Sequence, residues 1–169
     1  MIIREMVLAD GGAVIDIYNR ALRSGHASFQ ENGGTWSEWD GGHLLHCRYV
    51  ADDGGGKVLG WAGLSSVSGR CAYAGVAEIS VYVDPDFQGQ GIGRQLLAAL
   101  VEGSEQHGIW TLQAGIFPEN SGSVALHQKH GFEILCRRHG FGRMTYGSMQ
   151  GQWRDVLLLE RRSKLVGID

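Results

Sequence analysis

The chain has 169 residues, enough for one domain with a sizeable core and too few for two ordinary ones. Hydrophobic residues make up 43% and charged residues 20%, and no apolar run approaches a membrane span, so neither disorder nor membrane insertion is expected. Net charge is -3, with 6 basic and 10 acidic residues in positions 1–85 and 9 and 8 in positions 86–169, which speaks against nucleic acid as a partner. Glycine is the outlier at 27 residues, but only 2 prolines and no triplet period accompany it, so a collagen-like chain is excluded.

Ile2 to Arg4 reads as a short first strand. Asp10 stands where an N-cap would start an amphipathic helix through Ala13, Val14, Ile17, Tyr18, Ala21 and Leu22, with Gly25 ending it. His26 to Gly42 is glycine-rich loop enclosing a short helix near Trp36 to Asp40. Leu45 to Ala51 reads as a strand, positions 52–56 as a turn, and Val58 to Leu64 as the returning strand of a hairpin. Val76 to Val83 is the strongest strand, alternating Ala77, Ile79, Val81 and Val83 with Glu78, Ser80 and Tyr82. A helix follows with Ile92, Leu96, Leu97, Leu100 and Val101 on one face, then a strand from Trp110 to Phe117. Asn120 caps a helix that Gly131 stops, and strands of about Phe132 to Arg138 and Trp153 to Glu160 close the chain. Strands interleaved with helices predict an α/β layered sheet of mixed direction, as a single domain over 1–169.

The three cysteines, Cys47, Cys71 and Cys136, have no metal-type or CxxC spacing, and the N-terminal residues lack a signal-peptide pattern, so a cytoplasmic protein is expected. The seven histidines show no ligand clustering along the sequence beyond His43 with His46 and His127 with His130 at i,i+3, and no metal is expected.

Gln88-Gly89-Gln90-Gly91-Ile92-Gly93-Arg94 lies between the strongest strand and the best helix. Glycines there let phosphate oxygens approach the unpaired N–H groups of a helix N-terminus, and Arg94 adds a charged donor. A Walker A loop would need a lysine that is absent, and a dinucleotide fingerprint would need GxGxxG near the first strand rather than GxGxG after the fourth.

That loop, with Val81-Tyr82-Val83-Asp84-Pro85 before it, resembles the acyl-CoA pyrophosphate loop of the Gcn5-related N-acetyltransferases (GNAT). Asn120-x-x-Ser123-x-x-x-His127-x-x-x-Gly131-Phe132 is similar to the superfamily's next motif. Ile17-Tyr18-Asn19, Ala77 to Val83, Pro118-Glu119-Asn120 and Trp153-Arg154-Asp155-Val156 resemble the phosphinothricin acetyltransferase group, so the likeness runs from about residue 2 to 162.

The resemblance implies a mixed, mostly antiparallel central sheet flanked by helices, with a splayed strand pair for acyl-CoA. It implies acetyl-CoA as co-substrate, a small-molecule amine acceptor of the phosphinothricin or methionine sulfoximine type, and a homodimer. Backbone groups of Val81 and Val83, with Tyr82 between them, would pair with pantetheine. Gln88, Gly89, Gln90, Gly91, Ile92, Gly93 and Arg94 would hold the pyrophosphate, with Asn120 and Ser123 beside the cofactor. Glu78 matches the general base, which the chemistry requires because an ammonium must lose a proton before attacking a thioester. His127 would be the acid for the departing thiolate or a bystander. Phe29, Arg70 and Tyr73 would face the acceptor, although Ala74 stands where the group's typical strand has an arginine. No cysteine sits in a recognisable nucleophile pattern, which favours direct transfer over an acetyl-enzyme. The alternative from another class is a non-catalytic acyl-CoA-binding or sensing domain.

Overall fold

The computed structural model describes residues 1–168. It has seven strands, β1 (Ile2–Glu5), β2 (Tyr49–Asp52), β3 (Val58–Ser66), β4 (Val76–Val83), β5 (Thr111–Ile116), β6 (Glu133–Arg143) and β7 (Trp153–Arg162), and four helices, α1 (Gly11–Leu22), α2 (Trp36–Gly42), α3 (Ile92–Gln106) and α4 (Ser121–Lys129). The strands form one sheet in the order β1-β2-β3-β4-β5-β7-β6. Every neighbouring pair is antiparallel except β4 with β5. This is the mixed, mostly antiparallel sheet flanked by helices that the family resemblance implies. No described helix is long and apolar enough to cross a membrane.

Alternation along β4 sorts the two faces. Ala77 and Ile79, with Val81 and Val83, join the core cluster beneath α3, where Ile92, Leu96, Leu97 and Leu100 are buried and Val124 and Leu126 of α4 pack alongside. Tyr82 points the other way, into a cluster built from Val14 and Ile17 of α1, Trp39 of α2, and Val50, Val58 and Trp61 of β2 and β3. Trp61 sits between Trp39 and Tyr82, with ring centroids 5.3 and 4.9 Å away.

Two expectations are corrected. Asp10 precedes α1 but makes no side-chain cap; its carboxylate takes two hydrogen bonds from Arg4 and one from the Val7 N–H, which hold it well below the usual carboxylate range. The strand read from Leu45 begins only at Tyr49. Arg48 accounts for the delay: its guanidinium binds Asp40 and the carbonyls of Asp40, His43 and Leu44, folding that stretch onto the end of α2.

Candidate active site

The pairing of β4 with β5 covers only Val76 to Glu78 against Thr111 to Gln113, after which the strands part. Hydrogen bonds give the facing of β4's free edge. The Asp84 N–H bonds to Leu59 on the β3 side, whereas the Gly75 carbonyl accepts from Trp110 and Thr111 on the β5 side. Backbone groups alternate along a strand, and β4 and β3 pair without a register shift, so Ile79, Val81 and Val83 direct N–H and C=O toward the gap. These groups have no strand partner among the described residues, and the gap widens into a cleft of about 980 Å³.

At one end of the cleft the chain leaves β4 through the Pro85–Phe87 turn and enters the glycine loop. Arg20 on α1 bonds Asp84 at 2.8 Å and Asp86 at 2.6 Å, fastening the turn and offsetting one of the two carboxylate charges beside a loop suited to anions. Gly89 and Gly91 have φ of +77° and +79°, a region that a Cβ disfavours. Gly93 is helical, and its lack of a side chain serves packing instead: an added Cβ would lie 3.3 Å from Leu126. The first backbone bond of α3 runs from the Gln95 N–H to the Gly91 carbonyl, which leaves the N–H groups of Gly91, Ile92, Gly93 and Arg94 without intrahelical partners at the positive end of the dipole. Gln88 also lines the wall; Gln90 is exposed and outside it.

Asn120, Ser123 and His127 form the facing wall. Asn120 caps α4 by accepting from the Ser123 N–H at 3.3 Å. His127 is buried, with Nδ1 2.7 Å from the Ser123 carbonyl. Because a carbonyl only accepts, Nδ1 carries the proton and Nε2 a lone pair. Burial lowers the imidazole's pKa, so this neutral tautomer persists at pH 7. In this state His127 accepts a hydrogen bond at Nε2 and has no proton there to give, which argues against the acid role.

Glu78 occupies the last paired position before the strands part, opposite Ser65 on β3 and Gln113 on β5. Its exposed carboxylate accepts from the Gln113 side chain at 3.3 Å. It lies outside the cleft wall, at the vertex and on the Tyr82 face. The Tyr82 ring lies 4.7 Å from that of Tyr18, and burial together with Tyr18 pushes its phenol well above the ordinary range, keeping it protonated. Phe29 also lies outside the wall, edge-on to Phe117 at 4.9 Å and against Gly142. Arg70 and Tyr73 sit on the exposed approach to β4, and the Arg70 guanidinium has no partner among the described residues.

Sequence reading missed a second histidine. Arg154 on β7 is 2% exposed and reaches across to the loop after α1. It bonds the Gly25 carbonyl, His26 Nδ1 at 2.9 Å and Glu119 at 3.3 Å, and its guanidinium lies 3.6 Å from the Phe117 ring centroid. Arginine only donates, so His26 Nδ1 is the acceptor and the neutral ring carries its proton on Nε2. His26, Phe117 and Glu119 all line the cleft. Trp153-Arg154-Asp155-Val156 was visible as a motif, but nothing local pairs positions 128 residues apart.

A profile of the acetyltransferase (GNAT) family matches residues 13–132. An L-methionine sulfoximine/L-methionine sulfone acetyltransferase of Pseudomonas aeruginosa is 33% identical over 168 residues, covering 94% of this chain and 92% of its own. A phosphinothricin N-acetyltransferase of Alcaligenes faecalis is 34% identical over 162 residues, covering 88% and 76%. The crystal structure of a GNAT superfamily phosphinothricin acetyltransferase from Sinorhizobium meliloti in complex with AcCoA superposes with a TM-score of 0.87 at 28% identity, covering 99% of this chain and 91% of that one. A parted β4/β5 pair, a glycine loop with free N–H groups at the start of α3 and a profile match over most of the chain agree: the protein belongs to the acetyltransferase (GNAT) family.

Proposed function

We propose that this acetyl-CoA-dependent enzyme transfers acetyl directly to the primary amine of a small amino-acid-like acceptor, of the phosphinothricin or methionine sulfoximine type, with Glu78 as general base. One observation carries the reading: Glu78 stands at the vertex where β4 and β5 part, beside the free backbone edge of Ile79, Val81 and Val83. Pantetheine lies along that edge, and the pyrophosphate rests on the N–H groups of Gly91 to Arg94. Glu78 removes a proton from the acceptor's ammonium, the freed nitrogen attacks the thioester carbon, and as the C–S bond breaks the second proton of the attacking nitrogen passes to the departing sulfur, leaving the amide and the CoA thiol. A backbone N–H of the parted strand receives the oxyanion. The His26 Nε2–H donates to negative charge in the cleft, while His127 Nε2 accepts from a cofactor N–H or from the thiol product.

Arg70, unpaired among the described residues and at the Glu78 end of β4, supplies a cation for the acceptor's acidic group, with Tyr73 beside it and Phe29 at the lip of the acceptor site. The named activities of the relatives support this acceptor class. The reading treats residues 1–169 as one domain and extends to a cytoplasmic homodimer: Ile134, Leu135 and Phe141 on edge strand β6 and Trp153 on β7 are exposed apolar side chains, and light scattering of the purified protein tests the pairing.

The deciding experiment follows CoA thiol release with methionine sulfoximine, phosphinothricin and common amines as acceptors. Glu78→Gln is expected to lower kcat by about 10²–10⁴-fold and to remove the acidic limb of the pH profile, with acetyl-CoA binding retained. Unchanged turnover and pH profile would eliminate Glu78 as base. Acetyl-CoA binding without turnover across the panel would favour the sensing domain.

A further inference from the structure

On the Glu78 face of the sheet, β5 and β7 lead from the vertex to His26. Leu112, Ala114 and Ile116 of β5 and Leu157 and Leu159 of β7 pack in the core cluster beneath α3. By alternation Gln113 and Phe117, with Arg154 and Val156, lie on the opposite face, which is that of Glu78. Phe117 stands four residues past Gln113, the partner of Glu78, hence ~13 Å along the chain at ~3.3 Å per residue. Arg154 lies over the Phe117 ring and holds His26 by Nδ1. His26 is half-buried in the cleft wall, and its Nε2–H has no partner among the described residues.

We infer that His26, held as a donor by Arg154, is the specificity residue of the acceptor site: its Nε2–H binds an uncharged oxygen on the acceptor's side chain, that of a sulfoximine, sulfone or sulfoxide. The inference rests on the acetyl-transfer reading above, with the acceptor's amine at Glu78. Spacing then sets the acceptor's length. A hydrogen bond of ~2.8 Å at each end leaves ~7 Å of the ~13 Å for the acceptor itself. Five bonds, from the amine through Cα, Cβ and Cγ to a heteroatom and its oxygen, span ~6 Å when extended.

Charge selects the kind of oxygen. The Arg154 side chain is 1% exposed, and its one carboxylate partner among the described residues, Glu119 at 3.3 Å, also lines the cleft. The two charges offset each other, so the neutral ring beside them offers a directed N–H with no net charge behind it, a match for an oxygen with partial negative charge. A phosphinate would bring a full negative charge up to the Glu119 carboxylate. Arg154 is a positioning residue here. Its donation keeps the proton off Nδ1; with the proton there, Nε2 would turn a lone pair toward the acceptor's oxygen and repel it. Arg154 Nε is buried without a partner, a cost that a purely stabilising side chain would not carry.

The test compares L-methionine sulfone with L-methionine, which differ only in the side-chain oxygens, at saturating acetyl-CoA. His26→Leu should lower kcat/KM for the sulfone by about 10–100-fold more than for methionine, through KM, as expected for one hydrogen bond in a desolvated site. His26→Gln, which keeps an N–H near the Nε2 position, should restore most of the difference. A readout without turnover uses Glu78→Gln protein with CoA and ¹⁵N-labelled histidine. The sulfone should shift the His26 Nε2 resonance and methionine should not, and Arg154→Met should move both His26 nitrogens toward the positions of mixed tautomers. Equal losses for the two acceptors in His26→Leu, or an Nε2 resonance unmoved by the sulfone, would overturn His26 as the specificity residue. Absence of transfer to either acceptor by the unaltered protein would count against the acetyl-transfer reading instead, and the resonance would still decide whether His26 binds the sulfone.

Discussion

Adding one methyl group at Gly91 and at Gly12 should have opposite effects. Neither position has a heavy atom within 4 Å of an added Cβ, so sterics against neighbours contribute nothing at either. Gly91 has φ +79° and ψ 6° where the glycine loop becomes α3, whereas Gly12 lies in the first turn of α1. Alanine in the left-handed region costs about 1–2 kcal/mol, while alanine for glycine in a helix gains up to about 1 kcal/mol. For a chain of this size, with ~2–4 °C per kcal/mol, Gly91→Ala should lower Tm by about 3–6 °C and Gly12→Ala raise it by about 1–3 °C. Scanning fluorimetry with and without acetyl-CoA supplies a second readout. The free N–H groups of Gly91 to Arg94 converge only while the loop holds its shape, so Gly91→Ala should also weaken acetyl-CoA binding by about tenfold, or 1.4 kcal/mol. Equal responses at the two glycines, or undiminished acetyl-CoA stabilisation in Gly91→Ala, would refute the assignment of Gly91's conformation to ligand binding.

Three other perturbations follow from the same structure. Arg154→Met removes a buried cation and leaves the Gly25 carbonyl and His26 unpartnered, an expected loss of about 2–4 kcal/mol in denaturant unfolding. Arg20→Ala removes one positive charge beside the pyrophosphate loop; at ~8 Å in water-like dielectric that costs about 0.5 kcal/mol against each of the pyrophosphate's two negative charges, so KM for acetyl-CoA should rise about fivefold, less at high salt, with kcat retained. Burial lowers the pKa of His43, His46 and His127, so the unfolded chain binds more protons below its histidine pKa of 6.5. Stability is therefore full above about pH 6.5 and falls as pH drops toward the folded values, a slope in Tm between pH 7 and 5 that His43→Gln should flatten.

What the sequence revealed followed local periodicity. β4 ran from Val76 to Val83 as its alternation predicted, and the apolar stripe from Ile92 to Val101 became the buried face of α3. The reading slipped where a distant side chain decides local structure. Leu45 to Arg48 looks like strand, yet Arg48 folds the segment onto α2. β6 extends to Arg143, beyond its expected end near Arg138, as an edge strand whose residues are mostly exposed and so carry little hydrophobic pattern. The candidate site divides the same way. The glycine loop and the face of Asn120, Ser123 and His127 are local motifs, and both line the cleft, whereas His26 and Arg154 meet only through the fold.

The histidines show why residue type and spacing were insufficient for assigning roles. The reading of His127 as an acid or a bystander rested on its position in the motif, whereas a proton donor needs a proton on the nitrogen that faces the reaction. That depends on the partner of the other nitrogen. Ser123 offers His127 a carbonyl, so the proton stays on Nδ1. Arg154 offers His26 a donor, so the proton moves to Nε2. Two neutral imidazoles in one cleft therefore have opposite hydrogen-bonding capacity, one accepting and one donating. The arginine that makes the difference comes from β7, 128 residues along the chain from the ring it orients.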